Sequence, residues 1–135
     1  MIATLPLPTV KLPTFLQVEP VGQCNLRCQM CPIQFRKDGP PAFMAFDTFT
    51  WIIDQFDNLE ELHLQGLGEP MMHPQFFDMV GYATRRGVRV TTNTNLTLLN
   101  PTRAERCVTS GLDTPHLRGP PVRRGGLVAV PGQLQ

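Results

Sequence analysis

Cys24, Cys28 and Cys31 stand in the run Cys24-Asn-Leu-Arg-Cys28-Gln-Met-Cys31-Pro32, a C-x3-C-x2-C spacing. Clusters of the ferredoxin type take four cysteine thiolates. Three leave one iron with an open coordination position, and an open position is what a catalytic metal offers a ligand. Two other chemistries use cysteine groups. A zinc site closes with four ligands, usually in two pairs, and the one remaining cysteine, Cys107, is distant and has no neighbour of its own kind. A disulfide framework belongs to an oxidising compartment and a small secreted chain. Residues Met1 to Leu12 are interrupted by Pro6 and Pro8 and do not read as a signal peptide. No apolar run approaches the length of a membrane span. The thiols are therefore expected to stay reduced, in a cytoplasmic protein.

Two further segments carry chemistry. Gln65-Gly66-Leu67-Gly68-Glu69-Pro70 puts two glycines beside a carboxylate. Glycine lets a ligand approach the backbone closely, because no side chain stands in the way. The plain alternative is a tight turn ending in a solvated Glu69. Thr91-Thr92-Asn93-Thr94-Asn95 is the other segment, and Asn is also a routine turn former. His63 reads as structural, His73 as a turn residue and Cys107 as a small core residue. Arg27, between two of the cysteines, either sets positive charge near an anionic group or is solvated.

The elements that must position these segments alternate strand and helix. Phe15–Glu19 alternates apolar and polar and reads as a first strand. A helix follows, with Asp47 as N-cap and Phe49, Ile52, Ile53 and Phe56 on one face. Phe46 and Trp51 are placed to form a hydrophobic staple across its start. Leu62–Gln65 reads as the second strand. Pro74 is expected in the first turn of a second helix, with Phe76, Met79, Val80 and Ala83 as its apolar stripe and Gly87 beyond its end. Val88–Thr92 is the third strand. Asn100-Pro101 starts a third helix, with Ala104, Cys107 and Val108 on one face and Gly111 past its end. Strand-helix alternation at this spacing favours a parallel sheet in an α/β fold. In such sheets working residues lie on loops beyond the C-terminal strand ends. The cysteine loop, the Gly66–Glu69 loop and the Thr92–Asn95 loop all fall there.

The chain has 135 residues and a net charge of +1, which suits one domain and gives no basic stripe for nucleic acid. Neither nucleic acid nor membrane is expected as a partner.

The cysteine run with its Asn25-Leu26-Arg27 and Met30…Pro32 surroundings, together with Gly66-x-Gly68-Glu69-Pro70, resembles the radical S-adenosylmethionine (radical SAM) superfamily. The likeness runs from about Phe15 to Asp113. It implies the N-terminal part of that family's core domain, a partial (β/α) barrel of about three βα units. It implies that Cys24, Cys28 and Cys31 hold a [4Fe-4S] cluster whose open iron takes the amino and carboxylate groups of S-adenosylmethionine. In the family, one electron then cleaves the sulfonium to a 5′-deoxyadenosyl radical. By the same resemblance Gly66, Gly68 and Glu69 contact S-adenosylmethionine, Glu69 at its amino group. Asn93 either bonds a ribose hydroxyl or caps the turn, and Asn95 is a further candidate on the same loop. An external electron donor (a reductase, flavodoxin or ferredoxin) and a peptide or small-metabolite substrate are implied as partners. Two positions depart from the family. Met30 stands where many members carry an aromatic residue, although a soft, apolar Met could shield a cluster. Thr94 stands where relatives often have Gly.

Residues 1–14 read as an irregular segment, 15–113 as the core and 114–135 as an irregular tail. The tail holds four prolines, four glycines and three arginines with no acidic residue, and only Leu127-Val-Ala-Val130 is strand-like. It has the composition that truncation or a shifted reading frame would leave. A non-catalytic iron-sulfur-binding fragment is the alternative reading. A zinc or electron-transfer protein with Cys107 as fourth ligand is a further one.

Overall fold

The computed structural model describes residues 11–35 and 42–113. The expected tail, the segment Leu127–Val130, the Gly39-Pro40-Pro41 loop and most of the expected N-terminal segment lie outside the described residues.

Period-2 alternation decides the sheet. Strands β1 (Phe15–Val18), β2 (Glu61–Leu64) and β3 (Arg89–Thr91) pair in parallel in the order β1-β2-β3. The register sets Leu16 beside Leu62 and Leu62 beside Val90, so these apolar residues share one face. Val18 and Leu64 continue that face two residues on. Gln17, His63 and Thr91 lie in a row on the other face. Helices α1 (Phe46–Asp54) and α2 (Phe76–Arg85) cover the apolar face. Phe49 and Ile53 from α1 join Phe76, Met79, Val80 and Ala83 from α2 in one buried cluster with Val18, Leu62, Leu64 and Val90. Helix α3 (Pro101–Thr109) has no fully buried residue; Cys107 packs against this core and Arg106 lies over the Phe77 ring at 4.8 Å. After α3 the chain returns to the edge of β3, where Asp113 N–H donates to Val90 O at 2.8 Å. The architecture is a partial (β/α) barrel of three βα units.

Several local expectations need correction. Ala45, not Asp47, is the N-cap of α1, and it makes no side-chain capping bond. Asp47 falls in the first turn, where a carboxylate meets the positive end of the helix dipole. The staple does not form: Trp51 is 65% exposed, and Phe46 packs instead edge-on against Tyr82 at 6.0 Å. Helix α1 stops at Asp54, so Phe56 packs on the core from beyond its end. Pro74 is not in the first turn of α2, which opens at Phe76 with Gln75 as N-cap. A separate short 3-10 turn, Pro70–Met72, takes up the chain before it. Val108 is 84% exposed rather than on the packed face of α3. Other punctuation holds. Asn100 Oδ1 accepts from Arg103 N at 2.8 Å with Pro101 at the first helical position. Gly87 turns the chain with φ +80° after α2.

Leu62 is fully buried at the centre of the central strand. Leu62→Ala is expected to lower stability by about 3 kcal/mol through lost burial and the cavity left behind. Urea unfolding checks this, and an unchanged midpoint would mean that β2 is not the centre of the core.

Candidate functional site

Parallel register brings the three chemical loops to one end of the sheet. The cysteine loop leaves β1, the Gly66–Glu69 loop leaves β2 and the Thr92–Asn95 loop leaves β3.

The first two loops are joined through their backbones. Glu69 N–H donates to Gln23 O at 2.9 Å. A Cβ on Gly68 would run into Val21 O and lie 2.7 Å from Gln23 O. A Cβ on Gly66 would strike the side chain of Glu19. The glycines therefore make room first for the protein's own parts, where the sequence suggested room for a ligand. Glu19 Oε1 accepts from Leu67 N at 2.7 Å and Gly68 N at 3.1 Å. The base of the cysteine loop is tied down from its other side, with Gly22 N–H to Ala42 O at 3.0 Å and Met44 N–H to Pro20 O at 2.9 Å.

Glu69 ties the second loop to the third. It is 3% exposed. Its Oε1 accepts from Thr94 Oγ1 at 2.6 Å and from Met71 N at 3.1 Å, capping the 3-10 turn. Its Oε2 accepts from Asn95 N at 2.8 Å. Three of about four acceptor positions of the carboxylate are thus taken within the protein. The alternative of a solvated Glu at a turn is excluded by this burial. Asn95 then reaches the first loop: its Nδ2 donates to Asn25 Oδ1 at 3.0 Å and points at Cys24 Sγ at 3.7 Å. Leu96, just beyond, holds a left-handed φ of 61°, which a side chain adopts at a cost.

All three loop cysteines are free thiols and half-buried. Cys31 N–H bonds Cys28 O at 2.9 Å, closing a tight turn between them. Gln34 Nε2 braces that turn by donating to Cys28 O at 3.0 Å and Gln29 O at 2.7 Å. Among the described residues, no three Cys, His, Asp or Glu side chains converge so as to hold a single ion. A cubane cluster takes each thiolate on a different iron. Three free thiols on one braced loop therefore fit a cluster as a donor set. Met30 is 92% exposed, so it shields nothing within the described residues.

Asn93 is exposed and donates through Nδ2 to Gln65 Oε1 at 2.8 Å. Gln65 Oε1 also pairs with His63 Nε2 at 2.7 Å, and His63 Nδ1 pairs with Thr91 Oγ1 at 2.8 Å. Asn93 is thus anchored along the open sheet face and does not join the Glu69 contacts. His73 is buried between Met44 O, at 2.9 Å from Nε2, and Gln75 N–H, at 3.1 Å from Nδ1, as a turn residue. Burial pushes the Cys107 thiol up from its ordinary range. Glu19 escaped the sequence reading. Its signal was a carboxylate at the C-terminal end of the first strand, where this fold class carries working residues.

Glu69→Ala leaves three donors unmet and is expected to cost about 3 kcal/mol of stability. In a double-mutant cycle, Thr94→Val should cost much less once Glu69 is gone; strictly additive costs in urea unfolding would show the two side chains to be independent. Because its thiol is pushed up, Cys107 holds less thiolate at mildly alkaline pH than an ordinary cysteine. It should alkylate more slowly than the loop cysteines of metal-free protein, as peptide mass mapping would show, and equal rates would contradict its burial.

The family model of the Radical SAM superfamily matches residues 18–118, a span that takes in all three loops. The chain is 36% identical over 102 residues to the tungsten-containing aldehyde ferredoxin oxidoreductase cofactor-modifying protein of Pyrococcus furiosus, covering 73% of this chain and 28% of that protein. It is 30% identical over 106 residues to the AdoMet-dependent heme synthase of Nitratidesulfovibrio vulgaris, covering 78% of this chain and 28% of that one. The chain thus spans about 28% of the length of these curated relatives. In fold it is similar to the crystal structure of BtrN in complex with AdoMet and 2-DOIA. The TM-score is 0.66 at 24% identity, over 76% of this chain and 44% of that one. The match across the cysteine loop, the Gly66–Glu69 loop and the strands that carry them places this chain in the radical SAM superfamily, as the N-terminal part of its core domain.

Proposed function

We propose that this chain forms the cofactor-handling part of a radical SAM enzyme. A [4Fe-4S] cluster and S-adenosylmethionine are the cofactors that membership of this superfamily brings. Cys24, Cys28 and Cys31 each give one thiolate to the cluster, which leaves an iron open to S-adenosylmethionine. When bound and reduced, the cluster supplies the electron that cleaves the sulfonium and yields a 5′-deoxyadenosyl radical.

One observation carries this reading: three free thiols on a braced loop stand beside the Gly66–Glu69 loop, joined to it by the Glu69 N–H bond to Gln23 O. The chain's own residues bind and orient. Gln34 and the Cys28–Cys31 turn brace the backbone that carries the three cysteines. Gly66 and Gly68 contact S-adenosylmethionine through their backbone. Glu69 holds that backbone in place and offers its remaining acceptor position to the amino group. Asn93 offers its amide to a ribose hydroxyl, from the rim next to Gln65. An external electron donor reduces the cluster, in a reducing, cytoplasmic setting that also keeps the thiols free.

The substrate is a peptide or a small metabolite. Relatives with quite different printed activities each align over about 28% of their length, which fits a segment that serves the shared radical step. Substrate choice would then lie outside it.

Anaerobic reconstitution with iron and sulfide tests the proposal. The reduced protein is expected to give a four-iron electron paramagnetic resonance signal that changes when S-adenosylmethionine is added. Cys24→Ala, Cys28→Ala and Cys31→Ala should each abolish it. Full iron content in all three variants would sink the ligand assignment, and a signal indifferent to S-adenosylmethionine would remove the cofactor site.

A further inference from the structure

Glu19 comes from a different strand than the loop it holds. It follows the last residue of β1, and its Oε1 accepts from two successive backbone N–H groups, Leu67 at 2.7 Å and Gly68 at 3.1 Å. Its side chain also fills the space that a Cβ on Gly66 would need. Register explains the placement. Val18 pairs with Leu64, so the residue after Val18 falls beside the start of the Gly66–Glu69 loop.

The consequence lies in the carbonyls. The described peptides are all trans, and a planar trans peptide points its C=O opposite to its N–H. Leu67 N–H aimed at Glu19 sends the Gly66 carbonyl the other way. Gly68 N–H aimed at Glu19 does the same to the Leu67 carbonyl. Gly66 O accepts a 3.2 Å bond from Gln65 Nε2 and keeps a second lone pair. Successive carbonyls turned away from their neighbours form an acceptor set for a group with several N–H donors, and an ammonium carries three.

We propose that Glu19 is a positioning residue: by holding Leu67 N–H and Gly68 N–H it aims the Gly66 and Leu67 carbonyls at the ammonium group of S-adenosylmethionine. The inference rests on the function proposed above. Glu19 itself touches no ligand in this scheme.

The test compares two probes on the reconstituted protein: S-adenosylhomocysteine, which carries the ammonium, and its desamino analogue, which lacks it. Glu19→Ala is expected to weaken the first by about tenfold, the scale of a lost hydrogen bond to a charged group, and to leave the second unchanged. Glu19→Gln keeps an oxygen that accepts the same bonds and should restore the affinity. In the apo protein, amide exchange at Leu67 and Gly68 should quicken in Glu19→Ala, while the Glu69 amide stays protected. If Glu19→Ala does not fold, Glu19→Asp, one methylene shorter, is expected to show the same split between probes. Equal weakening of both probes would reduce Glu19 to general loop support and overturn the inference, as would unchanged affinity for both. Wild-type protein that binds neither S-adenosylmethionine nor S-adenosylhomocysteine would be a separate result, overturning the proposed function and this inference with it.

Discussion

Glu69 is a carboxylate almost wholly out of water, and its two oxygens accept from Met71, Thr94 and Asn95. A charge in that position is tolerated only while its hydrogen bonds are kept, because desolvating it without partners costs several kcal/mol. The three donors come from the 3-10 turn after β2 and from the loop after β3, so neither loop can drift without exposing the cost. The same residue's N–H is bonded to Gln23 O, at the base of the cysteine loop. One residue therefore couples three loops that are far apart in sequence. The close contact of Gly68 with the carbonyls of Val21 and Gln23 completes the joint, since no other residue fits there.

The sheet beneath is what allows such a joint. Parallel pairing sends every strand out at the same end, and the in-line register of Leu16, Leu62 and Val90 fixes how far each loop starts from its neighbour. The helices cover only the face that carries these apolar residues. The opposite face carries Gln17, His63 and Thr91 in one row, with Gln65 and Asn93 extending it toward the loops. It is polar but internally bonded, which specifies the orientation of its side chains.

Much of this was legible where the information is local. The alternation around Leu62-His63-Leu64 and the Asn100-Pro101 start of α3 each depend on a few adjacent residues and appear as read. What failed depended on partners elsewhere. Asp47 had the right chemistry for a cap, yet the helix starts two residues earlier, with Ala45 as N-cap and Phe46 packed on Tyr82. Pro74 falls between the Glu69-capped turn Pro70–Met72 and α2, which opens at Phe76. Val108 lies at helical spacing from Ala104, but α3 meets the core only along a narrow strip. Glu19 looked like one more polar position on a strand. Its use emerges only from the pairing of Val18 with Leu64. That a Cβ on Gly66 or Gly68 would strike Glu19 or the carbonyls of Val21 and Gln23 also depends on partners elsewhere in the chain.

The two edges of this small sheet carry a consequence of their own. An unpaired strand edge is a template on which another chain can add, and short, interrupted or charged edges resist it. Edge strand β1 is four residues long and lies between Pro13 and Pro20, which cannot donate to a ladder. At the other edge, Asp113 already occupies Val90 O, and Arg89 lies in ion pairs with Glu61 and with Asp113 at 3.5 Å. Among the described residues, neither edge offers a foreign strand a long run of free, apolar backbone. The fold is thus guarded against amyloid-like growth by the same short strands and charged ends that make its sheet so small.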